Sequence, residues 1–318
     1  MRAIVVSAGK ATLTEQPQPT PESGEVLIRV HRAGICATDL EIIKGYAGYE
    51  GILGHEFVGT IVAGSKKRID CRVVGEINCV CGKCDLCTRG LSTHCRRRTV
   101  LGIDSRPGVF AEYVTLPERN CHDVPDSISD EEAVFAEPLA AAIQIIRQVK
   151  IEPKMEVAVL GTGRLGLLVA QVLSLSGCRL TAIGRNPKTL GLLDRKRIRT
   201  LPVGELSGKT EHDLVVDCTG SPDGLSIAMN LVRPRGTLVL KTTCHGDAPI
   251  NLTPLVVNEI TLLGSRCGPI GEALAMLARK EIDVTSLITQ RVPLSQGIEA
   301  LDQAARPDQI KILLKTDV

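Results

Sequence analysis

Residues 155–166 read MEVAVLGTGRLG, and the fold turns on them. Glu156 to Gly161, EVAVLG, is a short apolar strand. Gly161-Thr162-Gly163-Arg164-Leu165-Gly166 follows it, and Leu165, Leu168, Val169 and Val172 then mark one helix face. A lone G-x-G-x-x-G means little, but between a strand and a helix it points to a dinucleotide. Gly161 allows the tight turn, Gly163 lets the backbone approach a pyrophosphate, and Gly166 lets helix and strand pack closely. The helix N-terminus adds amide donors and a favourable dipole. The plain alternative is a structural glycine turn.

The next strand, LTAIG, ends at Gly184 and is followed by Arg185 and Asn186. An NAD site would carry a carboxylate there for the ribose 2′-hydroxyl. No acid is present to repel a 2′-phosphate, and Arg185 can clamp one with charge-assisted hydrogen bonds. The expected cofactor is therefore NADP(H) rather than NAD(H), held by residues 161–166 with Arg185 and Asn186. The competing reading of Arg185 is a solvated residue at a strand end.

Working outward, DLVVDCTG and GTLVLKT are further strands, with the helical stretch SPDGLSIAMNLV between them. Strand–helix alternation implies βαβ units and a parallel sheet. Upstream, roughly the first 125 residues are β-rich, with EVLIRVHRAGI and FVGTIVAG set between turn signals. Ser129-x-x-Glu132 is a capping box. Pro138 suits a helix start, and Leu139, Ala142, Ile143 and Ile146 share one helical face. After Cys267 come an amphipathic helix, EALAMLARKEI, a short strand and helix, and a final IKILLKT. The expected fold class is α/β: a β-rich unit, 1–138 and 268–318, around a doubly wound parallel sheet, 139–267.

The chain has 318 residues, which suits two domains. Hydrophobic residues at 43% and charged residues at 23% exclude a disordered chain. The formal charge of +2 gives no reason to expect a nucleic-acid or anionic-membrane partner. Lys66-Lys67-Arg68 and Arg96-Arg97-Arg98 read as solvated faces. The N-terminus has no signal-peptide pattern, and no apolar run nears the ~20 residues needed to span a membrane. A cytoplasmic, thiol-reducing location is expected. Aromatics make up only 2%, so the core must be aliphatic.

Twelve cysteines then need an account. Cys81-x2-Cys84-x2-Cys87-x7-Cys95 supplies four thiolates, enough to close a tetrahedral structural zinc shell. An iron–sulfur cluster is the other four-thiolate option, and Cys79 is a spare nearby. Cys71, Cys121, Cys178, Cys218, Cys244 and Cys267 read as small buried hydrophobes. Cys36 in AGICATDLE and His55 in ILGHEF each follow a glycine-containing turn. Together they offer two ligands of an open metal site. Glu137 in FAEPLA is a third, because a carboxylate among apolar residues needs a partner, and Glu56 competes with it. Three protein ligands leave a position for water or substrate.

These motifs, GICATD, GHE, the four-cysteine lobe, AEPLA and GTGRLG, resemble the zinc-dependent medium-chain dehydrogenase/reductases in order and spacing across essentially the whole chain. The resemblance implies a GroES-like catalytic domain split around a Rossmann domain, with hydride transfer in the cleft between them. It implies that Cys36 and His55 bind a catalytic zinc. Glu137 falls where the polyol, threonine and glucose dehydrogenase branches carry a glutamate, and Glu56 matches a glutamate that can approach the metal. Thr38 matches the proton-relaying hydroxyl, and Asp39 the carboxylate that orients the ligand histidine. Glu41 stands where many alcohol dehydrogenases place a relay histidine, in a T-D-x-E run like that of the glucose dehydrogenases.

The loop between Cys36 and His55 is short, and Arg195 to Asp213 looks too short for the usual helix and strand. The implied activity is NADP-linked oxidation of a small alcohol, polyol or sugar. A biosynthetic carbonyl reductase and a non-catalytic nucleotide- or zinc-binding regulator are the alternatives. A homodimer or homotetramer, paired near TLLGSRCG, is implied as well. Scarce aromatics favour small aliphatic or polyhydroxy substrates over bulky aromatic ones.

Overall fold

The computed structural model describes residues 1–206, 211–243 and 251–316. It forms two compact units, Met1–Glu137 with Ile270–Val318, and Pro138–Pro269. The breaks fall after Glu137 and Pro269, where the sequence placed them after 138 and 267.

In the second unit, six parallel strands run in the order Arg199–Pro202, Arg179–Gly184, Glu156–Leu160, His212–Asp217, Val232–Leu240, Thr261–Gly264. Numbered along the chain this is 3-2-1-4-5-6, a doubly wound Rossmann sheet whose order reverses beside Glu156–Leu160. Ala158, Leu160, Ile183, Val215 and Leu238 pack with Ala228 and Leu231 into an all-aliphatic core.

Two expectations are corrected here. Helix Arg164–Ser174 is buried continuously from Gly166 to Leu173, so it does not present a single apolar face. The stretch after Arg195 does make its strand, Arg199–Pro202. Helix Pro187–Asp194 stops abruptly through Arg197, which takes the left-handed φ of +60°. That sharp reversal lets the strand begin two residues later. Economy comes afterwards: among the described residues only the 3-10 turn Val203–Glu205 precedes His212.

The first unit is built on a sheet with Glu25–Gly34 at its centre. Glu56–Ala63 and Lys311–Lys315 flank that strand, both antiparallel to it. The last strand of the chain is thus a neighbour of the first long one, which makes this unit discontinuous. Ser129 caps helix Asp130–Ala133 with the reciprocal Glu132 bonds, 3.3 and 3.0 Å. Helix Ala136–Gln148, which from Pro138 on belongs to the second unit, buries Leu139, Ala142 and Ile143, but Ile146 is 39% exposed. Ile145 is buried instead, completing a Pro138–Ala142–Ile145 face at i, i+4, i+7. Among the described residues no helix is long and apolar enough to cross a membrane.

Candidate functional site

The four lobe cysteines gather into a set that could hold a metal ion. Sγ of Cys84 lies 3.5 Å from Cys87 and 3.7 Å from Cys95, and Cys95 lies 3.5 Å from Cys81. Tetrahedral zinc with bonds of ~2.3 Å needs sulfurs about 3.8 Å apart, and disulfide sulfurs would sit at ~2.05 Å. Gly82 and Gly90 supply the left-handed turns, with φ +73° and +77°. Backbone N–H groups of Cys81 and Arg97 point at Cys95 Sγ, at 3.5 and 3.4 Å. The Lys83 backbone leads in pulling the Cys81 thiol down to about 6, towards the thiolate that binds metal.

Cys79 stays outside this set. Burial pushes it up to about 11, and its sulfur faces Asn120 Nδ2 at 3.8 Å. All eleven described cysteines are thiols. Of the described scattered ones away from the lobe only Cys121 is buried, whereas Cys71, Cys178, Cys218 and Cys267 keep more surface. Cys244 lies outside the described residues.

The basic runs are not simply solvated. Arg97 Nη2 reaches Cys81 Sγ at 3.5 Å, and Arg96 grips Asp85 with two bonds, 3.2 and 3.1 Å. Arg68 pairs with Asp123 and also donates to the Glu118 and Cys121 carbonyls.

The second cluster forms where strand Glu25–Gly34 hands over to helix Ala37–Ile43. Cys36 is the helix N-cap. Its ligand atom, one of His55 and one of Glu56 all lie within 4.8 Å of one another. Asp39, fully buried, accepts the Cys36 backbone N–H through Oδ2 at 2.8 Å. Its Oδ1 stands 3.3 Å from His55 Nδ1. Burial alone would lower the His55 pKa, but the negative Asp39 and Cys36 outweigh it and raise it well above the usual imidazole value. Thr38 Oγ1 is 3.7 Å from Cys36 Sγ.

Glu41 is not in the ligand set, and its Oε1 accepts from Lys44 Nζ at 2.8 Å. Glu137 is not within the ligand set, so of the two competing carboxylates the geometry gathers Glu56. Withdrawal from water pushes Glu137 up to about 7, opposed by His55 and assisted by Glu56. Sequence reasoning missed Lys311. It is buried, and its Nζ donates to Glu56 Oε2 at 2.5 Å. The available signal was a lysine between Ile310 and Ile312, followed by Leu313 and Leu314.

In the other unit the glycine turn has the geometry its spacing suggests. Gly161 has φ +96°, and a Cβ there would lie 2.7 Å from the Cys218 carbonyl. A Cβ on Gly166 would collide with Gly161 O, whereas one on Gly163 would meet nothing within 4 Å. Arg164 and Leu165 open the following helix and keep some surface. Thr162 Oγ1 pairs with Thr189 Oγ1 at 2.7 Å and fills the space a side chain at Gly184 would need. Arg185 is exposed. Asn186 Oδ1 caps helix Pro187–Asp194 by accepting from Lys188 N at 2.9 Å.

Comparison with known proteins gives two family matches: the alcohol dehydrogenase GroES-like domain over residues 22–126, and zinc-binding dehydrogenase over residues 165–281. The chain is 28% identical to sorbitol dehydrogenase of Halalkalibacterium halodurans, covering 99% of each protein. It is 29% identical to D-arabinitol dehydrogenase 1 of Uromyces fabae, over 93% of this chain and 91% of that one. A solved structure of a protein assigned as a zinc-binding dehydrogenase, from Sinorhizobium meliloti 1021 and bound to NADP, superposes with TM-score 0.88. It has 25% identity and covers 99% of this chain and 98% of that one. With the split β-rich unit, the 3-2-1-4-5-6 sheet and both cysteine motifs in place, the chain belongs to the zinc-type medium-chain dehydrogenase/reductases.

Proposed function

We propose that the protein is a zinc-dependent oxidoreductase that moves a hydride between the CH–OH group of a small alcohol or polyol and NADP(H), in preference to NAD(H). One observation carries the metal-dependent part: a sulfur, a nitrogen and a carboxylate oxygen gathered within 4.8 Å. These donors suit zinc, and Glu56 Oε1 is buried without a partner, as a carboxylate awaiting a cation would be. The polyol class is supported by the sorbitol and arabinitol dehydrogenase relatives and by the scarcity of aromatic side chains. NADP is supported by Arg185, by the absence of an acid at Gly184, and by the NADP-bound relative.

When bound, zinc supplies a Lewis acid that favours deprotonation of a hydroxyl, and the nicotinamide supplies the hydride acceptor. Cys36, His55 and Glu56 would hold the metal and leave a fourth position open. Asp39, whose Oδ1 stands 3.3 Å from His55 Nδ1, would orient the ring and leave Nε2 for the metal. Thr38, its Oγ1 3.7 Å from Cys36 Sγ, would accept and pass on the substrate proton. Glu41, whose Oε1 is paired with Lys44, would be the next carboxylate in that relay. Glu137, near neutrality in its proton affinity, is a second carboxyl able to hold or release a proton at the site.

Residues 161–166 receive the pyrophosphate and Arg185 the 2′-phosphate. Cys81, Cys84, Cys87 and Cys95 would hold a second, structural zinc. Reduced thiols in this number fit the cytoplasm. A homodimer or homotetramer has a candidate seam at the edge strand Thr261–Gly264.

The test is a cofactor-reduction screen of secondary alcohols, polyols and aldoses with NADP and NAD side by side, on protein analysed for metal. About two zincs per chain and turnover of a polyol with NADP are expected. A single zinc that survives Cys36→Ala would remove the proposed catalytic centre. Two zincs with no turnover of any CH–OH compound would remove the activity.

A further inference from the structure

We infer that Lys311 is a positioning residue for the metal site: it holds Glu56 by one carboxylate oxygen, so that the other is aimed at the cation and the glutamate's charge is cancelled. The inference rests on the zinc site proposed above.

Lys311 is only 2% exposed and Glu56 1%. A lone buried charge is too costly to keep, so each needs the other. The ammonium is fixed from three sides. It donates to Glu56 Oε2 at 2.5 Å and to Ile35 O at 3.3 Å, and it stands 5.6 Å from the centre of the Phe135 ring. Strand register makes the reach possible. Gly34 of the central strand pairs with Glu56 on one side and Leu313 on the other, and Ile35 N donates to Ile312 O at 3.0 Å. Lys311 therefore lies across the end of the central strand from Glu56. Gly34 leaves the gap for this bridge, because a Cβ there would lie 2.5 Å from Glu56 Oε2 and 2.8 Å from Val134 Cγ1.

The two oxygens of Glu56 are thus unequal. Oε2 belongs to Lys311, while Oε1 is buried and unpartnered, on a residue that offers a ligand atom within 4.8 Å of those of Cys36 and His55. With Lys311 in place, one positive charge offsets one carboxylate. A doubly charged cation facing the Cys36 thiolate then keeps a net positive charge with which to polarise a hydroxyl. Without Lys311, Glu56 is free to bind the cation through both oxygens and to quench it.

The test compares Lys311→Met, Lys311→Arg and the double variant Lys311→Met/Glu56→Gln. In each, zinc content, the rate of catalytic-zinc release to a chelator, and the visible spectrum after cobalt replaces that zinc are measured, with kcat and KM alongside. Lys311→Met is expected to alter the cobalt spectrum, to change the release rate and to lower kcat by about 10–100-fold, the usual cost of a lost partner of a metal ligand. KM for the cofactor should hold. Lys311→Arg should restore the spectrum and most of kcat.

If Lys311→Met does not fold, the double variant, which leaves no buried charge unpaired, takes its place. It should keep the cysteine-lobe zinc but bind the catalytic zinc more weakly. A Lys311→Met protein with wild-type spectrum, release rate and kcat would overturn the inference. So would a double variant with wild-type zinc affinity. Wild-type protein lacking the Cys36-dependent zinc would instead defeat the site itself, which separates the two failures.

Discussion

Gly166 sits so close to Gly161 across the turn that a Cβ on it would run into the Gly161 carbonyl oxygen. The first turn of helix Arg164–Ser174 can approach the end of strand Glu156–Leu160 only with hydrogen at that position. Gly166→Ala should therefore cost about 1–3 kcal/mol, the usual range for overpacking, and lower the thermal midpoint. Gly163→Ala meets no atom within 4 Å and should leave that midpoint unchanged. Its methyl group would nevertheless stand where the pyrophosphate is expected. Loss of one backbone contact should weaken NADPH by about tenfold. Calorimetry and cofactor titration on the two variants separate the roles, and equal effects on stability would refute the assignment.

Arg185 follows a strand end that carries no side chain, because Thr162 occupies that space. With NADP as the proposed cofactor, phosphate recognition would fall to the exposed guanidinium. Arg185→Asp replaces attraction with repulsion for a 2′-phosphate and offers a carboxylate to a free ribose hydroxyl. NADPH affinity should drop by about 10–100-fold, the scale of a charge-assisted contact, while NADH binding holds or improves. Titration with both cofactors decides it, and parallel losses would exclude Arg185 from the choice.

The four lobe sulfurs are separated from their neighbour Cys79 by geometry. Cys95→Ser removes a buried member of the 3.5–3.7 Å set and should cost one zinc per chain. Cys79→Ser removes a thiol bonded within the protein and should cost none. Metal analysis of the two proteins suffices. Loss of zinc from Cys79→Ser would show that the ligand set is wrong.

Local patterns made much of this molecule legible. The strand, glycine turn and helix at 156–174 are specified by neighbours in sequence, as are the C-x2-C-x2-C array and the Ser129 box. What escaped depends on distant residues meeting. Lys311 and Glu56 are 255 positions apart, and no periodicity relates them. Glu56 opens a strand and Glu137 lies in the first turn of a helix, so which of them comes near Cys36 depends on how distant segments pack and not on local pattern. Ile146 followed a one-face template on a helix that is buried along another line as well. Arg97 and Arg68 looked like solvated charge because their partners, a cysteine sulfur and carbonyl oxygens, lie in other segments.

Asp130 links three segments: Oδ2 lies 2.9 Å from His31 Nδ1, and Oδ1 accepts from Arg72 at 2.9 Å. The bond from His31 leads in holding its carboxyl below the ordinary 3.8. A depressed carboxylate pKa adds stability that is full above the unfolded value and is lost as pH falls through the folded one. Asp130→Asn should thus be less stable than wild type at neutral pH, and the gap should close as pH drops below about 3.8. Denaturant melts at stepped pH measure it. A gap that stayed constant down to acid would show that the network does not act through charge.

Strand Thr261–Gly264 ends the parallel sheet, pairing on one side with Val232–Leu240 and with no strand on the other among the described residues. Beside it Val256 is 77% exposed and Val257 71%, and Leu252 and Leu262 are exposed too. An open edge flanked by apolar side chains is an invitation to pair with another sheet. Two copies meeting edge to edge about a twofold axis would satisfy both edges at once. Leu262→Glu puts a charge on that seam without touching the buried core of the sheet. Sedimentation should then show the wild-type assembly and a variant of half its mass, each with an unchanged circular dichroism spectrum. A variant that sediments like wild type would place the subunit contact elsewhere on the molecule.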